Sequence, residues 1–152
     1  MTIGPAARPL STALPVTGTA PTDAMPPFAL PASHFAVALG WLGVGSACLI
    51  EAAPGLARGA WLTPETAAVA HCFTLGWLVT SAYGALYQTG PVAMGIEARS
   101  VRVGFATLAL HTAGSTLVVA GLGGWLPRFL GAGWVLVALA LALWTWNVGT
   151  RL

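Results

Sequence analysis

From residue 31 onward the chain alternates long apolar runs with short breaks, and it does so four times. The runs extend from about His34 to Ala53, from Pro64 to Thr89, from Val101 to Leu122 and from Pro127 to Val148. Each is roughly 20–25 residues long, and about 20 helical residues cross the hydrocarbon core of a bilayer. Pro54-Gly55, Gly90-Pro91 and Gly123-Gly124 mark the breaks. Pro64 and Pro127 fall at helix starts, where a missing N–H costs nothing. Short connections make consecutive helices antiparallel neighbours. Trp61, Trp125, Trp144 and Trp146 flank the runs as an interfacial aromatic belt would. The pattern predicts an all-α, integral membrane four-helix bundle over residues 31–152.

Residues 1–30 read differently. Pro5, Pro9, Pro15, Pro21, Pro26 and Pro27 interrupt any helix, with Gly, Ser and Thr between them. The block is expected to be a disordered Pro-rich tail rather than a signal peptide, because Arg8 is its only basic residue and no long apolar core follows. Composition supports the membrane reading. Hydrophobic residues make up 57% of the chain and charged residues 7%, against about 25% charged in a soluble domain. A lipid-facing surface tolerates that shortage; a water-facing one does not. The net charge of +2 comes from arginines alone, too few and too scattered for nucleic acid. Arg8, Arg99, Arg102 and Arg151 fall on one side of the four spans, and Arg58 and Arg128 on the other. That bias places both termini in the cytoplasm, in a bacterial inner (cytoplasmic) membrane, with the 54–63 and 123–126 loops outside.

Histidine within a membrane helix is costly and marks function. His34 lies at the start of the first run, near the interface, where water can solvate it. His71 lies about two turns into the second run, and His111 near the middle of the third. Thr107, His111 and Ser115 share one helix face. Thr74, Ser81 and Gln88 lie within about 100° of His71 on the helical wheel. Such stripes face a bundle interior, either as polar groups bonded across helices or as ligands, since neutral imidazole binds transition metals and haem iron. Cys48, Glu51, His71 and Cys72 could cluster near the outer side as a copper site. The two cysteines also read simply as small buried hydrophobes. No Ser–His–Asp set, phosphate loop or H-E-x-x-H motif is present.

The segment His71–Gly95, HCFTLGWLVTSAYGALYQTGPVAMG, resembles the haem-ligating helices of subunit I of the haem–copper oxidases. The shared pattern is the histidine followed by Gly84, Pro91 and Gly95, with Gly76 and Ala85-Leu86-Tyr87-Gln88 adding to it. The resemblance puts His71 on the low-spin haem ligand and Val69 in place of the high-spin one. Four helices correspond to one third of the family's twelve. The family's His-His pair and His-x-His are missing, so the resemblance implies haem binding rather than oxygen reduction.

The expected function is therefore that of a haem b-binding membrane protein, in electron transfer or binding of a diatomic gas (O2 or NO). His71 and His111 are the cofactor and metal ligands within one protomer. Their different depths leave open the alternative that two chains each supply His71 to one haem. Two further readings are a non-catalytic structural or assembly subunit of a larger respiratory-type membrane complex, and a small copper-binding membrane protein. Small residues at Gly40, Gly43, Gly45, Ser81, Gly84, Ala85 and Gly114 suit a homo-oligomer, a trimer before a dimer.

Overall fold

The computed structural model describes residues 25–148. Positions 1–24 of the expected disordered tail, and positions 149–152, lie outside the described residues. Four helices are long and apolar enough to cross a membrane. α1 is Ala29–Ala57, α2 Pro64–Met94, α3 Val101–Leu122 and α4 Leu130–Val148. A single 3-10 turn, Pro127–Phe129, leads into α4. The chain is an all-α, multi-pass membrane protein built as a four-helix bundle.

Local chemistry explains each boundary. α1 starts five residues ahead of His34 because Pro31 falls in its first turn, where the backbone N–H would have no acceptor anyway. It also runs past Pro54, which removes a bond only near the helix end. The chain turns at Gly59, whose φ of 83° suits glycine. α2 starts at Pro64 behind a capping threonine: Thr63 Oγ1 accepts from the Thr66 N–H at 3.2 Å. It passes Gly90-Pro91 and stops at Gly95, left-handed at φ 64°. Ser100 caps α3, its Oγ accepting from the Val103 N–H at 3.4 Å.

Within α2 the residues Cys72–Val79 form a π-helical stretch, which the sequence pattern did not predict. Widened turns of this kind occur frequently at functional sites. Here the stretch holds Gly76 flat against the indole of Trp41 on α1: a Cβ at Gly76 would fall 2.5 Å from Trp41 Cγ.

The bundle packs by close backbone approach, as membrane helices do without a hydrophobic drive. α3 and α4 meet at Gly114 and Gly133; a Cβ on Gly133 would lie 2.7 Å from the Val118 nitrogen. Leu30 fills the space beside Gly104, and His34 that beside Gly84. α3 is the enclosed helix, with 50% of its central window buried against 17% for α1 and 11% for α4. The outer faces of α1 and α4 present Leu39, Ile50, Val135 and Leu139 to lipid. Trp61, Trp125 and Trp146 are exposed toward the helix ends. Trp144 instead turns inward and stacks on Tyr83, ring centroids 4.9 Å apart.

Asn147 ties the end of α4 to the α2–α3 connection. Its Nδ2 donates to the Tyr87 hydroxyl (3.1 Å) and to the Ser100 carbonyl (3.2 Å). Its side-chain oxygen accepts from Ser100 N–H, and its carbonyl from Arg99 N–H, both at 3.0 Å.

Candidate functional site: three histidines and a polar seam

The polar positions of the four helices meet in one buried seam. His34, Thr80, Thr107, His111, Ser115 and Asn147 are all fully buried, and Tyr83 and Tyr87 nearly so. Every helix contributes. Tyr87 on α2 faces His34 on α1 with ring centroids 5.3 Å apart. One turn away, Tyr83 meets His111 on α3 edge-on at 5.2 Å. The sequence placed His34 at a solvated interface. The early start of α1 carries it instead a full turn into the helix, against α2, and away from water.

Each imidazole is oriented by a main-chain carbonyl. His34 Nδ1–H donates to Leu30 O at 2.8 Å, and His71 Nδ1–H to Ala67 O at 2.7 Å. A carbonyl oxygen only accepts, so both rings carry a proton on Nδ1, and in the neutral imidazole Nε2 is the bare nitrogen. His111 is the reverse. Its Nε2–H donates across helices to Leu75 O, inside the π-helical stretch, at 2.9 Å. Ser115 Oγ lies 3.4 Å from the same nitrogen. The bare nitrogen of His111 is therefore Nδ1. His34 Nε2 and His111 Nδ1 are buried with no hydrogen-bond partner.

His71 stands apart from that seam. It is half-buried, touches Trp134 on α4 edge-on at 5.5 Å, and lines a groove with Trp61, Thr66, Ala70 and Leu122. The groove holds about 560 Å3 and is almost wholly apolar. His111 reaches α2 one turn beyond His71, at Leu75, and its ring neighbours are Tyr83 and Ser115. Comparison with known protein families, with characterised proteins and with solved structures returned no match.

The cysteines of the copper reading do come together. Cys48 on α1 and Cys72 on α2 are neighbours across the α1–α2 interface. Cys48, Glu51 and Glu65 line one small cavity beside Trp125. His71 lines a different groove. Among the described residues, no group of three or more His, Cys, Asp or Glu side chains is arranged to hold a metal ion.

The seam contains residues that sequence reasoning passed over. Tyr83, Tyr87 and Asn147 carry no strong signal, since aromatic and amide residues near helix ends are common. Spacing held the clue: Tyr83 and Tyr87 stand four apart on α2, and Thr107 and His111 four apart on α3, so each pair lies on one helix face.

Proposed function

We propose that this membrane bundle binds haem b through His71, in a protein of electron transfer or diatomic-gas binding. The observation that carries the reading is the state of the His71 ring. Its Nδ1–H is held by the Ala67 carbonyl, which fixes the tautomer of the neutral ring and leaves Nε2 as its free acceptor, on a side chain that lines an apolar groove. Metal-ligating histidines are commonly oriented in this way, by a carbonyl on the other nitrogen. The groove's volume lies within the range of small-molecule and cofactor sites, about 300–1,000 Å3. Bound there, haem would supply a one-electron couple or an iron position for a diatomic gas. The chain's own part is to fix the imidazole and to line the groove with Trp61, Leu62 and Leu122. The resemblance of the His71–Gly95 segment to the oxidase helices supports the same residue.

A second ligand would come from one of two sources. His111 of the same chain would have to release Leu75 O and turn its ring. His71 of a second copy needs no such change, and it makes a homo-oligomer part of the site. Purified protein supplemented with haem should show a Soret band with split α and β bands on reduction. His71→Ala should abolish or strongly shift that spectrum, and His34→Ala should leave it nearly unchanged. Equal spectra for wild type and His71→Ala would sink the assignment.

A second reading rests on a different observation. The His111–Leu75 bond and the Asn147 cluster join helices with no need of a cofactor, which suits a structural or assembly subunit. A colourless protein after haem supplementation, together with co-purification of a larger complex, would favour it.

A further inference from the structure

We infer that Cys48 and Cys72 form a redox-active thiol pair, which a small peroxide oxidises to a disulfide between α1 and α2. Helix register places them together. Gly84 on α2 packs on His34 of α1, Gly76 on Trp41, and Cys72 against Gly45. The positions rise along α1 as they fall along α2, so the two helices run antiparallel in one steady register. Cys72 thus stands level with Gly45, while Cys48 stands level with Ala68 and Val69, with which it lines a cavity. The two cysteines are offset by one turn, about 4.5 Å along the axis. Each Cα–Cβ bond leans toward the N-terminus of its own helix. For Cys48 that direction is toward the level of Cys72, and for Cys72, on the antiparallel helix, it is toward the level of Cys48. The side chains converge, and they are neighbours across the interface. Gly45 lets the helices close up at this point, since a Cβ there would fall 3.0 Å from the Cys72 Cβ. A disulfide asks for Cβ atoms about 3.5–4.5 Å apart, a spacing that converging side chains one turn apart approach.

The surroundings give the two thiols different roles. Cys48 is half-buried and lines a cavity of about 180 Å3 with Glu51, Glu65 and Trp125. Glu51 and Glu65 also line a second cavity at the α1–α2 turn, with Arg58 and Thr63, so Cys48 has a route to that end of the bundle. Cys72 is fully buried among Trp41, Ala68 and Val119. Access makes Cys48 the thiol that reacts first. The cavity admits a molecule as small as hydrogen peroxide, and its two carboxylates favour an uncharged oxidant over an anion. Cys48 Sγ attacks one peroxide oxygen, the O–O bond breaks, and the thiol proton leaves with the departing hydroxide as water. Cys48 is then a sulfenic acid. Cys72 Sγ attacks the Cys48 sulfur, the S–O bond breaks, and a second water leaves as the S–S bond forms. The two thiols have lost two electrons and the peroxide has gained them. The bond staples α1 to the first residue of the π-helical stretch of α2. The pair is independent of any haem at His71.

Counting thiols tests this directly. The full chain in nanodiscs, with no haem added, is exposed to hydrogen peroxide, then unfolded in detergent and treated with a maleimide that marks free thiols. Both thiols should disappear together, and a protease digest should yield one peptide pair joined through Cys48 and Cys72, lighter by two hydrogen atoms than the separate peptides. A reductant should restore both thiols. Cys72→Ser should leave Cys48 as a sulfenic acid that a 1,3-diketone probe captures, and Cys48→Ser should leave Cys72 unreacted over the same exposure. Met94 is exposed and reports that peroxide has reached the protein. Two thiols still free once Met94 has become its sulfoxide, oxidation of Cys48 alone in the wild-type chain, or a disulfide between chains would each overturn the inference. The wild-type measurement decides even if a variant does not fold.

Discussion

A carbonyl chosen by the backbone decides what each histidine can do. Residues four apart on a helix place Leu30 O under His34 and Ala67 O under His71, so those two tautomers follow from helical geometry. His111 takes its carbonyl from another helix. That contact was not legible in the sequence, because it depends on the π-helical stretch of α2. His71 and His111 themselves stand out in the sequence as rare polar groups in apolar runs. The depth of His34 was misjudged because a proline in a first turn permits a helix as readily as it ends one. Asn147 belongs to this scale too. Asn147→Ala would leave the Tyr87 hydroxyl and the Ser100 backbone groups short of partners, at a cost of about 1–3 kcal/mol. A lower midpoint in detergent-induced unfolding is the expected result. An unchanged midpoint would show that water replaces the amide.

Between helices, glycine sets the distances. Gly114 and Gly133 let α3 and α4 touch backbone to backbone, and no side chain fits between them. Gly114→Val and Gly133→Val should each lower stability by about 1–3 kcal/mol or more, as overpacking against rigid backbone does. Gly40 and Gly43 have nothing within 4 Å of where a Cβ would sit. Gly40→Ala and Gly43→Ala should therefore be tolerated by the isolated fold and should slightly stabilise α1, since alanine favours helix by up to about 1 kcal/mol. Thermal midpoints for the four variants would check both statements. The sequence showed all of these as small residues suited to contact. It did not show which serve the protomer, because one face of a helix looks like another until its neighbour is known. Gly45, Gly84 and Gly114 are used inside the protomer, whereas Gly40 and Gly43 are open.

For the whole molecule, the four-helix membrane architecture was written in run length and charge depletion, the two properties lipid selects most strongly. How copies associate is a separate matter, and it bears on the proposed haem site. If two chains share one haem through His71, native mass spectrometry in mild detergent should show a homo-oligomer that carries less than one haem per chain. His71→Ala should then lower both haem content and oligomer stability. A monomer carrying one haem would refute the shared arrangement and return the second position to His111.

α1 is longer than α3, and the difference falls at one end. Leu30 packs beside Gly104, while Cys48 shares a cavity with Gly123. Between those levels α1 and α3 keep pace. Beyond Cys48, α1 continues from Leu49 to Ala57, about 13 Å at 1.5 Å per residue. α3, at about 33 Å, already matches a hydrocarbon core of about 30 Å. The last turns of α1 thus run past the end of α3, with Ile50 exposed at their flank. One side of the protein asks for a thicker bilayer than the other. Lipid must stretch along α1 or the bundle must tilt, and either response has a cost that grows with each ångström of mismatch. In vesicles of graded acyl-chain length, the protein should be most stable where the bilayer is thicker than α3 alone would require.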